Sequence, residues 1–298
     1  MTSVYYLTTR NCRLFFKDRG LFFSSLLTPI ILLILYATFL AKVYRDSFAG
    51  AVPAGLVSDA LIDATVAAQL ISSLLAVSCV TVAFCANLIS ISDKANGTIR
   101  DLTVTPVRRP ALAIGYFASS AIVTLIVTFT TLAVCLVYLA VIGWFMSVVD
   151  VFLLVLDVLL VTLFGTAFAS CVNFALTTNG QASAVGTAVS AGYGFLCGAY
   201  MPISNFSSGL QKVLSFLPGT YGTALIRNHA LAGVFREMEQ SAGFPSEVLT
   251  SIRDSIDCNL YFFDRLVPVP VMYLILVGTV LLLVGLYVLL NVLHKAGK

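Results

Sequence analysis

The feature that most constrains this chain is a series of apolar runs, each about 20 residues long, separated by polar stretches. A helix of about 20 residues spans the ~30 Å hydrocarbon core of a bilayer and satisfies its backbone hydrogen bonds internally, as lipid requires. With 59% hydrophobic and 10% charged residues, the chain is also far more apolar than a soluble domain. We therefore predict an all-α integral membrane protein with six transmembrane helices. The predicted spans are Leu21–Ala41, Val66–Ile91, Phe117–Ile142, Val151–Leu176, Ala182–Met201 and Val269–Val292.

Basic residues near these spans predict the orientation. Lys and Arg accumulate in cytoplasmic segments close to the spans. The N-terminal segment, the loop after the second span and the C-terminus share one side, and that side carries Arg10, Arg13, Lys17, Arg19, Lys94, Arg100, Arg108, Arg109, Lys295 and Lys298. The opposite side is richer in acids. Both termini are therefore predicted to be cytoplasmic, and residues 1–298 are interpreted as one domain in the plasma (inner) membrane.

The segment before the first span, residues 1–20, has the pattern of an amphipathic helix. Leu7 and Phe15 fall on an apolar side, and Arg13 and Lys17 fall on another. Such a helix suits the inner headgroup region of a bilayer. The alternative is a solvated basic flank with no mechanical role.

The loop at 92–110, "SDKANGTIRDLTVTPVRRP", is polar yet has the signals of an ordered helix. Gly97 permits a sharp turn, Thr98 with Asp101 fits a capping box, and Pro106 disfavours further helix. We expect a helix of about one and a half turns.

Ile99 and Leu102 lie three residues apart in this short helix and so share one side of it. With no partner evident in the sequence, they are expected to form a small apolar knob on the cytoplasmic face. The alternative is a capped connector between two spans.

Two longer stretches carry a family resemblance. "DKANGTIRDLTVTPVRRPALAIGYF" resembles the type-2 ATP-binding-cassette (ABC) exporter permeases, in which a short coupling helix docks on the ATPase subunit. "GAYMPISNFSSGLQKVLSFLPGTYGTALIRNHAL", at 198–231, is similar to the same family's series after the fifth span, where short external helices dip back toward the membrane. One departure is the pair Asp93 and Lys94, where many members carry Glu.

The resemblance implies two sets of site residues. The coupling residues are Gly97, Thr98, Ile99, Arg100, Asp101, Leu102, Thr105 and Pro106. The residues of the external re-entrant motif, within 202–267 and the end of the fifth span, are Gly198, Pro202, Leu210, Gln211, Leu217, Pro218, Tyr221 and Arg227.

The resemblance also implies the partners. Two copies of a separate ABC ATPase subunit would bind ATP and Mg, and the permease would pair with a second copy or a sibling, in contact with membrane lipid and not with nucleic acid. The chain has no G-x-x-x-x-G-K-[S/T] sequence, so we predict that it is not itself an enzyme. The expected cargo is hydrophobic or amphipathic: a drug, a peptide, a lipid or a lipid-linked glycan. The alternative is a secondary transporter or another polytopic protein without an ATPase partner.

Candidate pathway residues are Asp157, Tyr36 and Phe39. Asp157 is the one acid within a predicted span; it faces either a wet interior or interfacial water. Residues 28–39 and the small residues of the fifth span are candidate walls of a dimer interface and pathway, with packing inside one chain as the alternative.

The acidic stretch at 231–266 is predicted to be a solvated external loop. It includes Cys258, which we expect to be outside and accessible to a thiol reagent. The other cysteines fall mostly in spans and are interpreted as small apolar packing residues.

Overall fold

The protein is almost entirely helical. The computed structural model describes residues 2–51, 58–104, 107–241, 245–263 and 265–293. Helices in these ranges are α1 (Thr2–Lys17), α2 (Arg19–Leu35), α3 (Ala41–Ala51), α4 (Asp59–Ala86), α5 (Leu88–Ala95), α6 (Thr98–Val104), α7 (Arg109–Ile142), α8 (Val148–Phe174), α9 (Asn179–Leu196), α10 (Ser208–Leu214), α11 (Pro218–Ser241), α12 (Ser246–Ser255) and α13 (Val269–Leu293). A π-helical segment (Tyr36–Leu40), a 3-10 turn (Ile203–Asn205) and a hairpin of β1 (Tyr261–Phe262) and β2 (Arg265–Leu266) complete them.

Five helical stretches in the described ranges are long and apolar enough to cross a membrane. They are Arg19–Asp46, Asp59–Ala95, Arg109–Ile142, Val148–Phe174 and Val269–Leu293. Each contains most or all of a predicted span. The predicted span Ala182–Met201 coincides largely with α9, which has 18 residues, many of them Gly, Ser and Thr. The all-α membrane architecture is thus supported, and the count of six remains a prediction.

Helix α4 is the centre of the bundle. In its most apolar window 89% of residues are buried inside the protein, whereas the other four candidate spans reach at most 44%. It packs against α2, α7, α8, α9 and α11. Small residues allow this crowding: a Cβ on Gly165 of α8 would lie 2.7 Å from the carbonyl oxygen of Cys79 in α4.

The first span contains a π-helical segment, Tyr36–Leu40, between α2 and α3. Asp18 caps the start of α2 by accepting hydrogen bonds from the amides of Gly20 and Leu21, at 2.9 and 3.2 Å. The helix continues beyond the predicted end of the span at Ala41.

Helix α11 corrects two predictions. The segment after the fifth span was expected to hold short helices, and 231–266 was expected to be a solvated loop. Instead α11 has 24 residues, and Leu231 and Met238 are completely buried in the core. The polar residues of α11 interrupt the apolar pattern in its sequence. The helix can still be buried because residues such as Arg227 and His229 have partners inside the protein.

The start of α11 lies deep in the bundle. A Cβ on Gly222 would meet Val161 of α8 at 2.8 Å and Leu276 of α13 at 3.8 Å. Both neighbours lie well inside candidate spans. The start of α11 therefore packs against both α8 and α13.

Cys258 also differs from the prediction. Its side chain is 1% exposed, beneath α11 and α12, rather than solvated. Burial raises the pKa of the Cys258 thiol to about 12, so the thiol stays protonated at neutral pH.

We therefore expect Cys258, as the only cysteine of the full-length protein, to resist a membrane-impermeant maleimide from either side of the membrane until denaturant is added. The control is Ser251→Cys in a cysteine-free chain, because Ser251 is exposed in α12, within the segment that is predicted to be external. Ser251→Cys should react in intact cells, which also tests the orientation. Rapid labelling of Cys258 in the folded protein would contradict its buried placement.

Candidate functional site

Helix α6 follows a sharp turn at Gly97, whose φ of 80° is in the left-handed region that favours glycine. The amide of Gly97 donates to the carbonyl of Lys94 at 3.2 Å, and the amide of Arg100 donates to the carbonyl of Gly97 at 2.8 Å. The short helix expected between two spans is therefore present. Thr98 is its first helical residue, so Gly97 rather than Thr98 holds the cap position that the T-x-x-D pattern predicted.

The expected apolar knob is wrong in its details. Ile99 and Leu102 are half-buried rather than exposed. They pack against a cluster formed by Leu7, Phe15, Ala86, Ile89, Leu112, Tyr116 and Val123. They therefore attach α6 to the rest of the protein. The exposed apolar side chain of α6 is Val104, which is 88% exposed. Arg100 and Asp101 are exposed as well, and Thr105 and Pro106 lie outside the described residues.

Asp93, just before α6, is bound inside the protein. Its carboxylate accepts hydrogen bonds from Arg10 of α1 at 2.7 and 3.2 Å and from the Tyr116 hydroxyl of α7 at 2.6 Å. Asp93 is 7% exposed. This network joins α1, α5 and α7. Asp93, which stands where many family members carry Glu, is therefore paired within the same chain.

Lys94 connects α5 to the end of α8. Its Nζ donates to the carbonyls of Asn173, Phe174 and Leu176 at 3.1, 2.7 and 3.2 Å. The last carbonyls of a helix have no partner within it, and a cation there also interacts favourably with the helix dipole. Helix α6 is thus held through Asp93 to α1 and through Lys94 to α8.

Arg227 is the centre of the external motif. It lies in α11 and is 1% exposed. Its guanidinium donates to the carbonyls of Ile256 at 2.7 Å and Gly198 at 2.9 Å, and it lies 3.8 Å from the Asp257 carboxylate. Asp257 in turn accepts from the Ile203 amide at 2.5 Å. The motif thus joins α11 to the turns after α9 and α12.

Burial has the largest effect on the pKa of Asp257, the acid of this group. It raises the pKa of Asp257, whereas the nearby Arg227 guanidinium lowers it, with a net rise. Gly198 has a φ of 74°, and a Cβ there would meet Ile203 at 2.9 Å. The glycine in the motif is therefore required both by its backbone conformation and by close packing.

Two further motif residues hold the turns around the short helices that follow α9. The Gln211 side-chain amide donates to the carbonyls of Ser204 at 3.0 Å and Phe206 at 2.8 Å. The Tyr221 hydroxyl donates to the carbonyl of Ser215 at 2.6 Å. Each bond satisfies a carbonyl in a turn, so these residues maintain the shape of the segment.

The remaining motif residues mark ends and edges. Pro202 precedes the 3-10 turn, and Pro218 is the first residue of α11, where the lack of an amide N–H is tolerated. Leu210 and Leu217 are 40% and 36% exposed.

Asp157 is buried in a polar cluster that the sequence did not predict. It is 0% exposed and lies 2.5 Å from His229 Nδ1 of α11, and it also accepts a hydrogen bond from the Tyr273 hydroxyl of α13. Asp150 and Arg236 form a second pair on α8 and α11 at 2.5 Å. In these two pairs the residues on each helix are seven positions apart, and this matched spacing was the available signal.

The three candidate pathway residues are not brought together. Asp157 faces the interior of the bundle rather than interfacial water. Tyr36 is 4% exposed and packs near Leu70 and Leu74 of α4, whereas Phe39 is 61% exposed on the outer surface of the first span.

The fold and these sites define a multi-pass, all-helical membrane protein with an ordered helix between its second and third spans. The sequence model of the ABC-2 type transporter family matches residues 2–230. The chain belongs to this family, whose members are membrane permease components of ABC transporters and work with an ATPase subunit. The family domain has no nucleotide-binding site of its own. No curated protein matches the chain.

In the described ranges, no group of three or more His, Cys, Asp or Glu side chains could hold a metal ion.

We predict that Arg227→Leu destabilises the protein by about 3–5 kcal/mol, because it leaves the buried Asp257 carboxylate and two carbonyls without their donor. Arg227→Lys should recover only part of this loss, since an ammonium cannot reproduce the planar guanidinium geometry. Thermal unfolding of the purified protein measures both. Arg265→Leu, at an exposed arginine, is the control. Equal unfolding temperatures for the Arg227→Leu and Arg265→Leu variants would contradict the central role of Arg227.

For Asp157 we predict different results from two variants. Asp157→Ala leaves the partly buried His229 and Tyr273 without their acceptor and should cost up to about 1–3 kcal/mol per unsatisfied group. Asp157→Asn keeps a hydrogen-bonding side chain there and should be less damaging. Because the carboxylate faces the inside of the helical bundle, transport by Asp157→Asn should remain near the wild-type rate. A changed cargo preference at normal stability would instead indicate direct contact with cargo.

Proposed function

We propose that this chain is the membrane-spanning subunit of an ATP-driven exporter and that α6 is its coupling helix. The observation that carries the proposal is the attachment of α6: Asp93 and Lys94 connect it to two separate parts of the bundle. A simple connector needs no such attachment. Val104, exposed at the end of α6, is the side chain we propose to contact the ATPase.

The proposed cycle uses these attachments. ATP and Mg bind to two copies of the partner ATPase, and closure of these subunits displaces α6. The displacement passes through Arg10 to α1, which leads directly into the first span, and through Lys94 to the end of α8. Movement of the first span relative to the bundle then opens a path for cargo to the outside.

The path requires a second permease copy or a sibling. Helix α9 supports this part of the proposal, because its exposed side carries Ser183, Thr187 and Ala191 at four-residue spacing. Small and polar residues are typical of close helix contacts in membranes, whereas lipid favours larger apolar side chains. We propose that α9 and the first span, including Phe39, form the pairing surface and the pathway wall.

The proposal includes a membrane topology for these helices. Six spans cross the plasma (inner) membrane, with α9 as the fifth, and both termini are cytoplasmic. Segment α10 and the first half of α11 form the re-entrant external motif. An apolar path of this kind suits a hydrophobic or amphipathic cargo such as a drug, a peptide, a lipid or a lipid-linked glycan.

The coupling contact can be separated from its attachment. We predict that Val104→Asp weakens binding of the ATPase subunit that co-purifies with the wild-type protein by at least tenfold, since burying a Val side chain contributes about 1.5–3 kcal/mol and 1.4 kcal/mol is tenfold. The substitution should leave the unfolding temperature unchanged, because Val104 has little contact within the protein. Binding is measured in nanodiscs, together with ATP turnover.

Two controls make this test specific. Val248→Asp, at a 41% exposed valine in α12, should change neither binding nor turnover. Ile99→Ala with Leu102→Ala should lower the unfolding temperature and uncouple ATP turnover from cargo, with a smaller effect on binding. Wild-type ATPase binding by Val104→Asp would remove Val104 as the contact. Absence of any co-purifying ATPase with the wild-type protein would contradict the proposed function.

A further inference from the structure

We propose that an open groove along α1 is a binding site for an anionic phospholipid of the inner leaflet. The groove has a volume of about 680 Å³ and lies between one side of α1 and Ile122 of α7. Arg13, Lys17 and Phe16 line it, and Tyr5 and Thr9 continue it toward the start of α1. This site is distinct from α6 and from the external motif.

The position of the groove follows from how α1 packs on α7. The Thr8 hydroxyl donates to the carbonyl of Gly115 at 3.4 Å, and the Asn11 side-chain amide donates to Ser119 Oγ at 3.3 Å. The residue numbers of the contacts increase along both helices, from Thr8 with Gly115 to Asn11 with Ser119, so α1 and α7 run in the same direction. The next turn of α7 brings Ile122, inside a candidate span, beside the last turns of α1. If the span begins at Phe117, as the sequence predicts, the basic end of α1 lies close to where α7 enters the hydrocarbon.

Within the part of the chain that the structure describes, no acidic side chain pairs with the basic residues of the groove. Arg10, on another side of α1, pairs with Asp93 at 2.7 Å. Arg13 and Lys17 are exposed and have no acidic partner within the described residues. The neighbouring acid, Asp18, is hydrogen-bonded to the first amides of α2. An anionic headgroup supplies the missing charge, and its phosphate oxygens accept hydrogen bonds from both cations.

The remaining wall of the groove is apolar in the way that a lipid requires. Phe16 and Ile122 are 40% and 43% exposed, and Ile126, one turn further along α7, is 47% exposed. These side chains form an apolar strip that begins at the two cations and continues into the membrane. A phospholipid fits both parts, with its phosphate at Arg13 and Lys17 and an acyl chain along Ile122 and Ile126.

The test places a fluorescent reporter in the groove of the full-length chain. The variant Trp144→Phe with Ile122→Trp has one tryptophan, which lines the groove. The protein is reconstituted in phosphatidylcholine nanodiscs, and increasing fractions of dibrominated phosphatidylglycerol or dibrominated phosphatidylcholine are introduced. Bromine quenches tryptophan on contact. We expect half-maximal quenching at a mole fraction about tenfold lower for phosphatidylglycerol, because two basic residues act at a membrane surface.

Three variants locate the effect. Arg13→Gln with Lys17→Gln should abolish the preference, whereas Arg13→Lys with Lys17→Arg should retain it. Arg100→Gln with Arg108→Gln removes two exposed cations from the same predicted side, outside the groove, and should leave the preference intact. The unfolding temperature of each variant is measured alongside.

Equal quenching by the two lipids at Ile122→Trp would overturn the proposal, as would a preference that survives in the folded Arg13→Gln, Lys17→Gln variant. Loss of the preference in Arg100→Gln with Arg108→Gln would assign it to general surface charge and also overturn it. Absence of quenching by either lipid would mean that protein, such as a second copy of the chain, covers the groove. None of these results involves the ATPase, so the permease function is tested separately.

Discussion

A backbone carbonyl at the end of a buried helix has no hydrogen-bond donor within that helix and needs one from elsewhere in the protein. The architecture of this protein depends on how the chain supplies these donors. Two long basic side chains supply donors at the ends of three helices. Lys94 satisfies the carbonyls at the end of α8, and Arg227 satisfies those after α9 and α12. In both cases the donor comes from a different helix. The breaks in the helices therefore become the points at which the bundle is joined together.

The central position of α4 follows from a second constraint, which is space. Helices approach closely only where their side chains are small, and α4 is rich in Ala and Ser along its length. Gly165 brings α8 against the α4 backbone. The other helices are arranged around α4, and their less buried sides remain for lipid or another chain.

The apolar runs predicted the helices around α2, α4, α7, α8 and α13 because length and composition alone decide whether a segment can cross a bilayer. The same criterion missed α11, whose charged residues lower its apolar content. Asp157 was recognisable as unusual, but its partners His229 and Tyr273 lie on two other helices, so no local pattern identifies them. The sequence also led us to predict that Ile99 is exposed, because Leu7, which belongs to the cluster it packs against, lies far away in the sequence. Local chemistry was thus predictable, and contacts between distant segments were not.

The two polar contacts between α8 and α11 have a mechanical consequence. Asp150 with Arg236 and Asp157 with His229 are spaced two helical turns apart on antiparallel helices. A slide of one helix along the other by a single turn, about 5.4 Å, would separate both pairs at once. No intermediate position keeps one pair while exchanging the other. Both pairs therefore hold α8 and α11 in the same alignment, and we expect changes of shape at boundaries that no such pair joins.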